Sequence, residues 1–435
     1  MQSGDSNAPE FEVPTIISSG EEQYLNEGSS YLFNQDTLHT FELKLPQSAL
    51  SKIDANPAAE QYVEGMLIFA RDTISPVGIR YKGSIGAFVN CVSGNNWAEP
   101  SGHKTCTKLS IKVKINWKDR EEKFYKLKKL QFHSQNNDPS QMHERLGYWL
   151  FREMGVPAPR SVHAKLKIND RYVGVFALTE QVDGRFVKHN FDDDEGNLYK
   201  EIWPLSMDGV PYSNGEYINA LKTNEDESPN VDFIRDFGQK VADSNMSQYK
   251  EIVEESMDID EIISYVVVDR TIKHDDGPFH WYCFGDNCSS HNFYFYEEPN
   301  NKKLHLIPWD LDNAFENIIN DSNPITPIAD DWGETSNNCK PFKNSFFGIE
   351  QWSANCDKLT SIWALYEDEY KEKESQLLNG PMSQNSVDEM IDKWSDQIKD
   401  ATQEASQMYD DAISINKWES ELSKLKDQLK YARNK

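Results

Sequence analysis

The sequence has no long hydrophobic run. Its cleanest apolar stretches, Ile262-Ile263 and Tyr265 to Val268, fall far short of the ~20 residues that span a bilayer, so no membrane span is expected. It is also short of positive charge: 45 Lys and Arg against 72 Asp and Glu give a net charge of −27. That balance excludes a nucleic-acid binder driven by phosphate neutralisation. Cysteine is sparse, at six residues, with no CxxC and no Cys/His set at zinc-finger spacing, which leaves little for structural zinc. The opening residues, Met1 to Asp5, show neither a basic n-region nor an apolar h-region, so export would require a leader already removed.

What is present argues for a folded protein. Hydrophobic residues make up 38% and aromatics 12%, too much for a disordered acidic chain. At ~150 residues per domain, 435 residues suggest about three domains or one elaborated two-lobed protein. The cysteines form three local pairs, Cys91 with Cys106, Cys283 with Cys288 and Cys339 with Cys356. They read as disulfides of a secreted or cell-surface protein, the alternative being buried thiols in a reducing compartment. The sequons at Asn245 and Asn320 are compatible with secretion.

Residues 1–30, rich in Ser, Gly, Glu and Asn without periodicity, read as a flexible tail. Residues 31–200 read as a β-rich lobe of short alternating runs. These are Thr40 to Leu45, Gly65 to Phe69, Val77 to Lys82, Leu109 to Ile115, His163 to Ile168 and Tyr172 to Leu178. Asn169-Asp170 is expected to turn a hairpin, and Gln141 to Met154 to form a helix ended by Gly155 and Pro157. The expectation for this part is an antiparallel sheet carrying a helix. Residues 201–435 read as a helical lobe: Asn230 to Asp243, Ser247 to Val268 and most of the chain beyond 357 have helical spacing. A short hairpin, Asn292 to Tyr296 and Lys303 to Ile307, interrupts them, so the fold class is α+β.

Chemistry concentrates around that hairpin. Ile307-Pro308-Trp309-Asp310-Leu311-Asp312 places two carboxylates, one residue apart, at a strand end, where both could reach one hard divalent cation. Upstream lie His274-Asp275-Asp276-Gly277 and, on the first hairpin strand, Asn292. An aspartate near an acceptor hydroxyl, an amide oxygen and a strand-end aspartate are the parts that kinases combine. A cation is still needed for phosphate. Lys108, Lys112 and Lys114 are candidates for it, Glu180 is a candidate partner, and the turn at Gly83-Ser84, flanked by Arg80 and Lys82, could present backbone N–H groups to phosphate. Glycine turns are commonly only turns, exposed strands carry Lys for solubility, Asp276 could cap a turn and Asp310 a helix.

The stretch His291 to Tyr296 followed by Ile307 to Asp312 resembles the spore-coat-protein-H (CotH) kinase family. The resemblance runs in order through Arg80 to Ser84, Lys108 to Ser110, Asn169 to Asp183 and Leu198 to Lys200, covering about residues 33–320 with similar helices beyond. It implies an atypical protein-kinase-like two-lobed fold, with a β-rich N-lobe and a helical C-lobe. The implied activity is transfer of the ATP γ-phosphoryl group to Ser or Thr of secreted or surface proteins, with Mg²⁺ or Mn²⁺. It also implies Asp276 as the catalytic aspartate with Asp275 its rival, Asn292 and Asp310 as metal ligands, Asp312 beside them, and Lys200 toward the nucleotide. One departure is plain. The family's aspartate lies about five residues before its His-Asn pair, whereas here 16 positions separate Asp276 from Asn292, with Phe279 to Ser290 inserted. A disulfide-closed excursion between Cys283 and Cys288 would restore the geometry.

His291 reads as structural, and Trp281 and Tyr282 as packing or rim residues. The acidic surface would steer a basic, Ser-rich protein substrate toward a monomeric enzyme. Two other classes remain open: a non-catalytic kinase-like surface or adhesion module, and a metal-dependent phosphohydrolase in which water replaces the acceptor.

Overall fold

The computed structural model describes residues 28–119, 123–225, 229–285, 287–319, 339–343 and 350–435. The expected tail, apart from its last three residues, and the Asn320 sequon lie outside them. Helices hold 40% of residues and strands 22%, an α+β protein as expected. The chain divides into two compact units, one of residues Met1–Pro139, Ser161–Gln181 and Trp394–Trp418, the other of Ser140–Arg160, Val182–Lys393 and Glu419–Lys435.

The first unit is built on seven strands: β1 (His39–Lys44), β2 (Val63–Phe69), β3 (Asp72–Tyr81), β4 (Ile111–Lys114), β5 (Lys129–His133), β6 (Ser161–Ile168) and β7 (Arg171–Thr179). Alternation sets one face inward, so Phe41, Leu43, Leu67, Val77, Ile79, Val113, Phe132, Leu166 and Leu178 share one core. Phe41 stacks on Phe69, its cross-strand partner, at 4.6 Å and meets Phe132 edge-on. Deleting so buried a ring costs about 3–5 kcal/mol. The Asn169-Asp170 turn holds as expected, with φ of 48° and 66° between paired Ile168 and Arg171.

Two expectations are corrected here. The strands do not form a purely antiparallel sheet but close into a barrel, β1-β2-β3-β4-β5-β7-β6, sealed by parallel pairing of β1 with β6. Closure removes the sheet edges, which is how a barrel satisfies its outermost backbone groups. The helix of the first half, His143–Glu153, belongs to the second unit.

In the second unit the helix Ile259–Ile272 is buried almost all round, through Ile262, Ile263, Tyr265, Val266, Val267 and Val268. The helical run expected over Ser247 to Val268 is two helices, Tyr249–Ser256 and Ile259–Ile272, because the Asp258 side chain accepts from Glu261 N and starts a new one. The hairpin forms as expected from β11 (Phe293–Glu298) and β12 (Lys303–Pro308), and β8 (Leu198–Lys200) adds to its other edge. A second sheet, in the order β10-β9-β14-β13, contains β9 (His280–Phe284), β10 (Asn287–Ser289), β13 (Phe342–Lys343) and β14 (Glu350–Ser353). Trp203 meets Trp281, Phe293 and Trp363 edge-on at 5.3 to 6.2 Å. All three expected disulfides are formed, and among the described residues no helix is long and apolar enough to cross a membrane.

Candidate active site

The hairpin delivers two of the expected residues to one place. Phe293 pairs with Pro308, so Asn292 and Trp309 face each other just past the ladder, and Trp309 N donates to Asn292 O at 3.1 Å. Asn292 and Asp310 both adopt left-handed backbone, φ 60° and 56°. Such a conformation costs energy outside glycine and concentrates at working sites. Three neighbours hold it. Asp310 N donates to the buried Tyr148 hydroxyl at 3.0 Å, His274 Nε2 reaches the Asp310 carbonyl at 3.1 Å, and Asn292 N donates to Glu201 Oε1 at 3.3 Å. Burial pushes the Tyr148 phenol well above its ordinary range, so it keeps its proton.

Asp276 comes to the same point. Its Oδ1 lies 2.8 Å from His291 Nε2 and its Oδ2 accepts from Asn292 Nδ2 at 2.9 Å, so residues 16 apart in sequence are hydrogen-bonded. The inserted segment leaves as the β9-β10 hairpin, in which the disulfide joins cross-strand partners Cys283 and Cys288. Burial alone would raise the Asp276 carboxyl and lower the His291 imidazole. The attraction between them outweighs it, leaving Asp276 below and His291 above their ordinary values. Tyr282 stacks on His291 with centroids 4.9 Å apart, while Trp281 is buried against Trp352 at 5.1 Å. Gly277 permits the tight turn, since a Cβ there would lie 2.4 Å from the His274 ring.

The two adjacent aspartates differ sharply. The Asp276 side chain is 24% exposed and that of Asp275 fully buried. Asp275 is bonded through Oδ2 to Asn317, and its Oδ1 has no hydrogen-bond partner among the described residues. Burial raises its pKa well above the ordinary range, against the pull of Asn317 and Arg270.

As a place for a divalent ion, the set is partial and chemically suited. Asn292 spends its amide N–H groups on the Asp276 carbonyl and Oδ2, leaving its oxygen on the side away from Asp276. The Asn292 amide oxygen and the Asp310 carboxylate are hard oxygens of the kind Mg²⁺ takes, and Mg²⁺ commonly uses only one or two protein oxygens, the rest coming from phosphate and water. Among the described residues no group of three or more His, Cys, Asp or Glu is arranged around a metal position. Asp312 is engaged through its carbonyl, which accepts from His143 Nδ1 at 2.8 Å.

Lys200 pairs with Glu201 at 3.1 Å, the same carboxylate that holds Asn292 N. In the barrel unit Arg80 pairs with Glu60 and lies over the Tyr62 ring, and Gly83 N donates to Glu60 Oε1 at 3.0 Å, so this glutamate engages both. Lys82 Nζ lies 2.7 Å from His133 Nε2, and Ser84 is exposed. The Lys108 ammonium donates to the Val175 carbonyl at 2.7 Å above the Phe176 ring, and burial lowers its pKa to about 8. Lys112 is half-buried on β4, in register between Arg80 and Gln131, and Glu180 is buried just after β7.

Sequence reasoning missed the supports. His291, read as structural, is paired with Asp276; its place next to Asn292 was the available signal. Tyr148, His274 and Glu201 act through backbone contacts that no motif announces.

An aspartate, an amide and a strand-end carboxylate gathered at one hairpin are the parts of a kinase-like centre. The family model for CotH kinase proteins matches residues 79–434, nearly the whole chain, and the protein belongs to that family. The match starts later than the resemblance noted from sequence and runs through the C-terminal helices. No curated protein matches the chain.

Proposed function

We propose that the protein is an atypical protein kinase that transfers the ATP γ-phosphoryl group to Ser or Thr of secreted or surface proteins. In this reading the barrel unit serves as the N-lobe and the helical unit as the C-lobe. The observation that carries the proposal is the joining of Asp276, Asn292 and Asp310 at one hairpin despite the 16-residue separation. Asp310 and Asn292 would hold Mg²⁺ or Mn²⁺, which when bound screens phosphate charge. Asp276 orients the acceptor hydroxyl and takes its proton, while His291 and Asn292 fix the carboxylate rotamer. The exposure of Asp276 and the burial of Asp275 support Asp276 in that role. Lys108 and Lys112 of the barrel unit are the candidates for the phosphate cation, the Lys108 ammonium being bonded to the Val175 carbonyl above the Phe176 ring. Three disulfides are consistent with an extracellular protein, and the net charge of −27 favours a basic substrate segment.

The test is phosphate transfer from γ-labelled ATP to a basic, Ser-rich protein by wild type and Asp276→Asn. Label transferred by wild type and lost in the variant supports the reading. Release of free phosphate without protein labelling would replace it with a phosphohydrolase.

A further inference from the structure

The segment that follows Asp310 is gripped by the C-terminal helix Ile415–Asn434, more than a hundred residues away in sequence. Gln428, 3% exposed, touches its backbone at two points: Nε2 donates to Glu316 O at 3.2 Å, and Oε1 accepts from Ile319 N at 2.6 Å. One helical turn earlier, Lys424 Nζ meets Glu316 Oε2 at 2.6 Å. The other Glu316 oxygen lies 3.5 Å from His143 Nε2, and the opposite nitrogen of that ring holds the Asp312 carbonyl. On the near side, Leu311 is packed so closely against Gly147 that a Cβ there would sit 2.7 Å from it. Phe315, at φ 72°, donates its N–H to Ile272 O at 2.6 Å.

Apolar packing alone would let such a short segment slide, because it is non-directional. An amide reading two backbone groups and an ion pair one turn away fix its register. We propose that Gln428 and Lys424 are positioning residues for Asp310: through Glu316 and Ile319 they clamp the segment Leu311 to Ile319 and set where the carboxylate stands. The C-terminal helix is then a working part of the site. The inference rests on the reading of Asp310 as a metal ligand, so its test separates the two.

Gln428→Ala, Lys424→Met and the charge-preserving Lys424→Arg are compared with wild type by two measurements. The first is hydrogen exchange of the peptide spanning 311–319; the second is Mn²⁺ binding in the presence of ATP, followed by the electron-spin resonance of free Mn²⁺. Gln428→Ala and Lys424→Met are expected to speed exchange in that peptide, leave the rest of the unit protected, and weaken Mn²⁺ binding about ten-fold, as loss of a supporting contact does at metal sites. Lys424→Arg is expected to restore both. Lys424, 41% exposed at its side chain, keeps the test readable if Gln428→Ala unfolds. Unchanged exchange, or unchanged Mn²⁺ affinity in the variants of a metal-binding wild type, overturns the clamp. A wild type that binds no Mn²⁺ overturns the reading of Asp310 instead, and the clamp's role in the site with it.

Discussion

Glu297 sits on β11, the strand that begins one residue after Asn292, and it is a carboxyl in an unfavourable place. Burial outweighs its bonds from Tyr199 and Asn197 and pushes its pKa up to about 7, from an ordinary 4.5. The Tyr199 hydroxyl donates to Glu297 Oε2 at 3.0 Å. Because the folded-state value is raised, the folded chain binds the extra proton. The contribution to stability is full below about pH 4.5 and is lost as pH rises through about 7. The gap of about 2.5 pH units, at about 1.4 kcal/mol each, makes the full loss about 3.5 kcal/mol. Glu297→Gln keeps the shape and the acceptor for Tyr199 while removing the titration. Urea unfolding of both proteins at a series of pH values from 4 to 8 reads the difference. The stability of the Gln variant relative to wild type should rise by about 3 kcal/mol across that range, most of it between pH 4.5 and 7. Parallel profiles would refute the reasoning and mean that water reaches this carboxylate.

Three further predictions concern the same unit and the disulfides. Gly277→Ala would drive a Cβ into the His274 ring, both of whose nitrogens are engaged, and should cost about 1–3 kcal/mol in denaturant unfolding; an unchanged midpoint would mean that the loop yields freely. Alkylation without reduction should label no cysteine. Removing the Cys91–Cys106 bridge should cost about 3 kcal/mol and the shorter Cys283–Cys288 bridge about 2, as loop length dictates, with calorimetry of the Ser variants as the check.

Local pattern carried much of the fold. The strands that became β1, β3, β6 and β7 announced themselves by alternation, the turn at Asn169-Asp170 by its residue types, and the three cysteine pairs by proximity. What was illegible depends on long-range register. Parallel pairing of His39 with Ala164 closes the barrel, yet neither strand's own sequence encodes that partner. β8 is three residues long, and Lys129–His133 too short to separate from a loop, so both gain their identity from neighbours. At the site, Asp276, Asn292 and Asp310 stood out because side-chain chemistry is visible in sequence. Tyr148, His274 and Gln428 did not, because each works by holding another residue's backbone, and any polar side chain brought there by the fold could do so.

Phosphoryl transfer at this hairpin requires the Asp310 carboxylate, and removing it is the direct test. Purified protein and Asp310→Ala are each incubated with γ-labelled ATP, Mg²⁺ or Mn²⁺ and a basic Ser-rich protein. Wild type should place covalent label on protein and the variant none, while the two unfold at the same temperature. Equal labelling by both would contradict it.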